Sequence, residues 1–152
     1  MIFVTVGTMV QFGFERLVRA AAALPLEEVV LQHGPVEPPA GVTRAVPFMS
    51  LPETIEHVRR ADVVVSHGGV GSVLCALRFG HVPVVVPRLK RWGENVDDHQ
   101  VDLVQALAAQ DRVIPVWDIA ELPEAVRSVP PRLPPAEEAV KPIHRAVADA
   151  LA

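Results

Sequence analysis

The chain has 152 residues, half of them hydrophobic, and a formal net charge of −4, which suits one domain with a sizeable core and leaves no basic footprint for nucleic acid. The single cysteine, Cys75, excludes an internal disulfide, and the opening "MIFVTVGT" has neither the basic stretch nor the cleavage site of a signal peptide, so the expected compartment is the cytoplasm. No apolar run approaches the length of a bilayer span, so membrane contact is expected to be peripheral or through a partner.

Along the chain, short β-branched runs alternate with helical patterns, the signature of βαβ units around a parallel sheet buried on both faces; the fold class is α/β, a doubly wound parallel sheet. Strands are predicted at 2–6, 28–32, 43–46, 62–66, 82–86 and 112–115. Apolar residues three and four apart predict a helix over 14–23, carried by Phe14, Leu17, Val18 and Ala21. Another is predicted over 95–109, carried by Val96, Val101, Leu103, Val104 and Leu107, with shorter helices at 52–60, 70–79 and 119–127. Four prolines within residues 130–135 exclude helix interior and central strand and read as an extended spacer. Beyond it, Ile143, Val147 and Leu151 predict a terminal amphipathic helix whose apolar stripe packs on its own domain or meets a partner. The expected organisation is one domain over 1–130, then a Pro-rich spacer and C-terminal helix over 131–152.

In an open parallel sheet, ligands bind beyond the carboxyl ends of the strands. The stretch "SHGGVGS" at 66–72 leaves the fourth strand and enters a helix, so its amides and the positive end of a helix dipole face that crevice. Glycines at 68, 69 and 71 remove the Cβ atoms that would hold an anion away, Ser72 adds a hydroxyl and His67 a titratable donor. The same residues also suit a plain tight turn with a satisfied loop histidine, and they match neither the P-loop nor the dinucleotide fingerprint. Gly7 and Thr8 place a second loop directly after the first strand. A third loop carries Arg88, Glu94, Asp97, Asp98, His99 and Gln100 within thirteen residues. Its acids suit the cap of the following helix, and its His-Gln pair suits sugar hydroxyls, each both donor and acceptor. Metal binding by Asp97, Asp98 and His99 ranks below both, because adjacent residues of a helix diverge.

Together, "SHGGVGSVLCAL", "PVVVPR" and "DDHQ", with "IFVTVGT", "QHG" at 32–34 and "PFM" at 47–49, resemble the nucleotide-sugar-binding half of GT-B glycosyltransferases of family 28. The chain is similar to the carboxyl-terminal domain of the peptidoglycan lipid-linked N-acetylglucosamine transferase. It is more similar to the separate donor subunits of dolichol-linked N-acetylglucosamine transfer and of bacterial exopolysaccharide glycosyltransferases. The likeness covers most of residues 1–115 and implies a Rossmann-like sheet forming a single GT-B half-domain, with residues 1–130 as its nucleotide-sugar-binding part.

The resemblance also implies site roles. Gly7, Thr8, His67 and the amides through Gly68, Gly69, Gly71 and Ser72 lie against the phosphates. Pro47, Phe48 and Met49 hold the uracil, unless Phe48 is an ordinary core aromatic. Gln32 and Gly34 line the cleft entrance, and Asp98, His99 and Gln100 hold the donor sugar. Arg88 and Glu94 join the substrate-binding set with less specific roles. One position departs from the pattern: three residues after Ser72, where relatives carry a glutamate for the ribose, this chain has Cys75.

The implied reaction is transfer of a sugar from a UDP-sugar to the hydroxyl of a lipid-linked or polysaccharide acceptor, without cofactor or metal. His67 and the helix amides stabilise the leaving diphosphate, and the catalytic base is unassigned. The implied partners are the UDP-sugar and a membrane-anchored acceptor-binding subunit that recruits this chain to the inner face of the membrane. A homo-oligomer is the alternative assembly in isolation. Two other functions are compatible with the motifs: a non-catalytic nucleotide-sugar-binding module, and a UDP-sugar epimerase-like protein, which would require both halves of a two-domain cleft in a longer chain.

Overall fold

The computed structural model describes residues 1–25, 28–133 and 148–149. Six strands form one parallel sheet: β1 (Ile2–Thr5), β2 (Val29–Gln32), β3 (Arg44–Val46), β4 (Val63–His67), β5 (Val84–Val86) and β6 (Ile114–Pro115). Their order is β3-β2-β1-β4-β5-β6, the doubly wound Rossmann arrangement. The helices are α1 (Glu15–Ala20), α2 (Leu51–Arg60), α3 (Val70–Arg78), α4 (His99–Ala108) and α5 (Leu122–Arg127).

The valine runs are continuous because both faces of the sheet are covered. Side chains alternate across the pleat, so Ile2, Val4, Val63, Val65, Val84 and Val86 pack on one face against α1 and α5. Phe3, Val30, Val64 and Val85 pack on the other against α2, α3 and α4. Burying one such valine or phenylalanine contributes about 1.5–3 kcal/mol, which is why the register cannot slip by a residue without reversing the whole pattern. The connections diverge at β1 and β4. The chain runs outward from β1 to β3, then returns through α2 to lie on the other side of β1 as β4. This is the switch point at which the loops part.

Predicted and observed elements coincide closely, with one informative difference. The helix expected from residue 95 begins at His99. The side chain of Asp97 accepts the His99 N–H at 3.1 Å and that of Asp98 accepts the Lys90 N–H at 2.9 Å. These bonds hold a turn where the helix was expected, and Val96, counted on its apolar face, is 64% exposed. The expected helices at 14–23 and 119–127 are each part 3-10: residues 21–23 follow α1, and residues 119–121 precede α5.

At the start of the proline-rich spacer, Leu133 N–H donates to Gly80 O at 3.0 Å, and the Arg132 guanidinium donates to Phe79 O and Arg59 O. The predicted terminal helix over 142–152 lies, apart from Ala148 and Asp149, outside the described residues. Among the described residues no helix is long and apolar enough to cross a membrane.

Candidate functional site

β1 leads into Gly7, whose φ of +79° is a bend that side chains resist. A Cβ there would stand 2.4 Å from His67 Nε2, and one on Gly69 would stand 2.1 Å from His67 Cε1. The imidazole at the end of β4 is thus held between two glycine backbones. Gly68 is equally constrained, since its Cβ would meet Gln100 Cβ at 2.9 Å. Gly71 is different: nothing lies within 4 Å of a Cβ built there, so this glycine borders open space. One glycine cluster therefore serves two purposes, packing a histidine and exposing a backbone.

That exposed backbone is the first turn of α3. Its N-cap, Gly69, supplies no side-chain bond, and no acidic residue occupies the first turn. Each of α1, α2, α4 and α5 has an acid in its first turn, and α2 carries a full capping box from Ser50 and Glu53. The amino end of α3 thus leaves its orphan N–H groups and partial positive charge facing the crevice, ready for an external anion.

His67 reaches Ser72 Oγ through Nε2 at 3.2 Å and Gln100 Nε2 through Nδ1 at 3.3 Å. Burial, reinforced by the nearby positive charge of Arg88, lowers its pKa to about 3. At neutral pH the ring is therefore an uncharged hydrogen-bonding group rather than a cation. Gln100 in turn accepts, on Oε1, the backbone N–H of Gly68 at 2.9 Å and of Arg88 at 3.0 Å.

The third loop is mostly turned inward. Arg88 has no exposed surface. Its guanidinium donates to the carbonyls of Val6 at 2.6 Å, Phe12 at 3.1 Å and Glu94 at 3.1 Å, and stacks 4.9 Å from the Phe14 ring. Desolvation lowers its pKa to about 10, so it remains charged at neutral pH. Glu94 accepts from Arg16 through both oxygens at 2.9 and 3.1 Å and from Leu89 N–H at 3.0 Å. Arg88 and Glu94, expected among the substrate-binding residues, are buried groups that bind the β1 loop to the β5 loop. Both are buried, and through these bonds they shape the crevice.

Gln32 follows the same pattern. Its amide donates to Gly7 O at 2.6 Å and Pro47 O at 3.1 Å and accepts from Thr5 Oγ1 at 2.5 Å, so it ties the loops after β1 and β3 together rather than lining the entrance. Gly34, with φ +62°, is buried beside it and donates to Pro47 O at 2.8 Å.

Other expected site residues are accessible. Thr8 is exposed, and Phe48 is 42% exposed beyond the end of β3, which overturns the core-aromatic alternative for it. Met49 is partly buried against the cluster containing Phe3 and Val58. Asp98 and His99 are exposed, with the His99 ring 3.6 Å from the Asp97 carboxylate. Burial on α3 pushes the Cys75 thiol above its usual pKa, so the group is a neutral, weak hydrogen-bonding partner at pH 7. Sequence reasoning overlooked Thr5 and Arg16. Thr5 Oγ1 also accepts the Gly7 N–H at 3.1 Å, and Arg16 meets its carboxylate partner 78 positions away. Separations of that size leave no local signal.

The model of the Glycosyltransferase family 28 C-terminal domain matches residues 1–150. The UDP-N-acetylglucosamine transferase subunit ALG13 of Yarrowia lipolytica is 31% identical over 103 residues, 68% of this chain and 48% of that protein. Among solved structures, the glycosyltransferase SnogD from Streptomyces nogalater aligns over 95% of this chain and 44% of its own length, at 22% identity and a TM-score of 0.46. The chain thus spans about half the length of the relatives it matches.

Proposed function

Because this chain belongs to the glycosyltransferase family 28 C-terminal domain family, we propose that it is the donor-binding, catalytic subunit of a split GT-B glycosyltransferase. It transfers a sugar from a UDP-sugar to an acceptor hydroxyl on a lipid-linked or polysaccharide substrate. The observation that carries the reading is the uncapped amino end of α3, with Gly71 bordering open space and Ser72 beside it. A diphosphate seated there accepts the first-turn amides and the Ser72 hydroxyl. His67, fixed next to Ser72, supplies a neutral polar group. As the glycosidic bond breaks, negative charge grows on the departing β-phosphate, and these preorganised donors hold it in place without needing to reorient.

The base lies beyond the exposed Phe48, where the Pro47–Met49 backbone offers its edge to uracil. Thr8 borders the phosphates, and Asp98 and His99 are the accessible groups of the third loop for the sugar. The neutral Cys75 thiol is a poor acceptor for ribose hydroxyls, so that hold falls to other groups. Among the described residues no three His, Cys, Asp or Glu side chains gather as metal ligands do. Charge stabilisation falls to the first-turn amides of α3 and the Ser72 hydroxyl.

The relative from Yarrowia is named a transferase subunit. That name supports a partner subunit here; its acceptor-binding role, its membrane anchor and its recruitment of a cytoplasmic chain to the inner face of the membrane are part of the proposal. Calorimetric titration with UDP tests the donor site. The Gly71→Val protein should fold yet lose UDP binding, and unchanged affinity would sink the phosphate assignment. Transfer of labelled sugar by the purified chain alone, with no second protein present, would refute the split enzyme.

A further inference from the structure

We propose that Gln100 is a positioning residue that fixes the tautomer of His67, so that the histidine donates from Nε2 toward the crevice; this rests on the donor-site reading above. Backbone N–H groups of Gly68 and Arg88, at 2.9 and 3.0 Å, are donors and nothing else, so the side-chain atom between them is the carbonyl oxygen. The amide nitrogen is then committed to the other side, where His67 Nδ1 lies 3.3 Å away. An NH2 group only donates. Nδ1 therefore accepts, and in a neutral imidazole the proton resides on Nε2.

From Nε2 the bond runs to Ser72 Oγ at 3.2 Å, leaving the serine hydroxyl proton free for an anion at the amino end of α3. Amide, imidazole and hydroxyl then form a chain of donors pointing one way, each polarising the next. The Gly7 and Gly69 backbones hold the ring in plane, since a Cβ on either would collide with it. The charged group recorded near the ring is Arg88, whose backbone N–H is itself one of the two bonds that orient Gln100. The loop after β5 thus acts on the diphosphate through the histidine of the loop after β4.

The direct test is nitrogen-detected NMR of the imidazole in the unliganded protein, which needs no variant. The expected signature is a neutral Nε2–H tautomer that persists from pH 8 to 5; an Nδ1–H tautomer, or titration near 6.5, would overturn the proposal. Gln100→Glu keeps an acceptor oxygen for both backbone N–H donors but places a carboxylate oxygen against Nδ1. His67 should then carry a proton on Nδ1 and titrate within that range. Affinity for UDP-N-acetylglucosamine, whose pyrophosphate diester does not titrate there, should gain in the variant a pH dependence in step with His67 that is absent from the wild type, which shares every other titratable group of the crevice. In Gln100→Ala, UDP and UDP-N-acetylglucosamine should both bind about tenfold more weakly, the equivalent of about 1.4 kcal/mol. A loss confined to the sugar nucleotide would make Gln100 a sugar contact and overturn the positioning role. Failure of the wild type to bind either ligand, with the Nε2–H tautomer present, would instead refute the donor site and leave the tautomer assignment standing.

Discussion

The loops after β4 and β5 are neighbours at one edge of the sheet, and both are rich in residues that chemistry can use, yet they are built to opposite ends. The β4 loop is made of glycines and leaves a helix end unsatisfied. Gly71 has nothing within 4 Å of where a Cβ would be, and α3 has no side-chain cap. The β5 loop has a high density of charge and amide, but Arg88, Glu94 and Gln100 direct it at carbonyls, N–H groups and the guanidinium of Arg16. A buried charge that lacks partners is too costly to keep. Density of polar residues is therefore a poor guide to open hydrogen-bonding surface, whereas a missing cap in a set of otherwise acid-started helices marks donors left without a partner. The second loop makes the first one rigid.

The largest effect that would sharpen this contrast belongs to Arg88. Replacing it with methionine leaves the carbonyls of Val6, Phe12 and Glu94 without their donor in a site sealed from water, and urea denaturation should record a loss of about 3 kcal/mol or more. A loss below about 1 kcal/mol would mean that the loop is not the clamp described.

Next comes the acid limb of stability. The pKa of His67 lies near 3 when folded against 6.5 when free, so below 6.5 the unfolded chain takes up a proton that the folded ring refuses. Stability is complete above pH 6.5 and falls as pH drops toward 3, by up to about 1.4 kcal/mol per unit and hence by about 2 kcal/mol at pH 5. His81, held by Val58 O at 2.7 Å and also shifted downward by burial, acts in the same direction. Denaturant titrations at pH 7.5 and 5 should show a smaller acid loss in His67→Asn than in the wild type; equal losses would remove the buried neutral histidine from the account.

The smallest effect discriminates most sharply within one loop. Gly71→Ala puts a better helix former in open space and should raise stability by about 0.5–1 kcal/mol while weakening UDP binding. Gly69→Ala, whose Cβ would meet His67 at 2.1 Å, should lower both. Thermal melts and calorimetry on the pair read the four signs directly; parallel behaviour of the two variants would erase the distinction between packed and open glycines.

The elements were legible because their signals are local. The valine runs, the helical spacing of Phe14 with Leu17 and Val18 and of Leu103 with Leu107, and the proline-rich stretch each declare a conformation within a few residues. The start of α4 was misplaced because Val96 fits the helical period while the bonds of Asp97 and Asp98 that stop the helix are side-chain contacts. Of the site, the bare glycine loop beside His67 and Ser72 was legible as a strand-to-helix turn, but which glycines pack the histidine and which borders open space was not. The direction in which Gln32, Arg88, Glu94 and Gln100 point could not be read.

By itself, then, the sequence determined the α/β class, the strand sequence and the place where a glycine loop leads into a helix without a side-chain cap, because hydrophobic period and glycine placement act over short spans of chain. Only the tertiary structure decided which polar residues face the crevice and which hold it together. Arg16 finds Glu94 and Val6 finds Arg88 across more than seventy residues, and a side chain of either kind looks the same in the sequence until the groups that satisfy it are brought alongside.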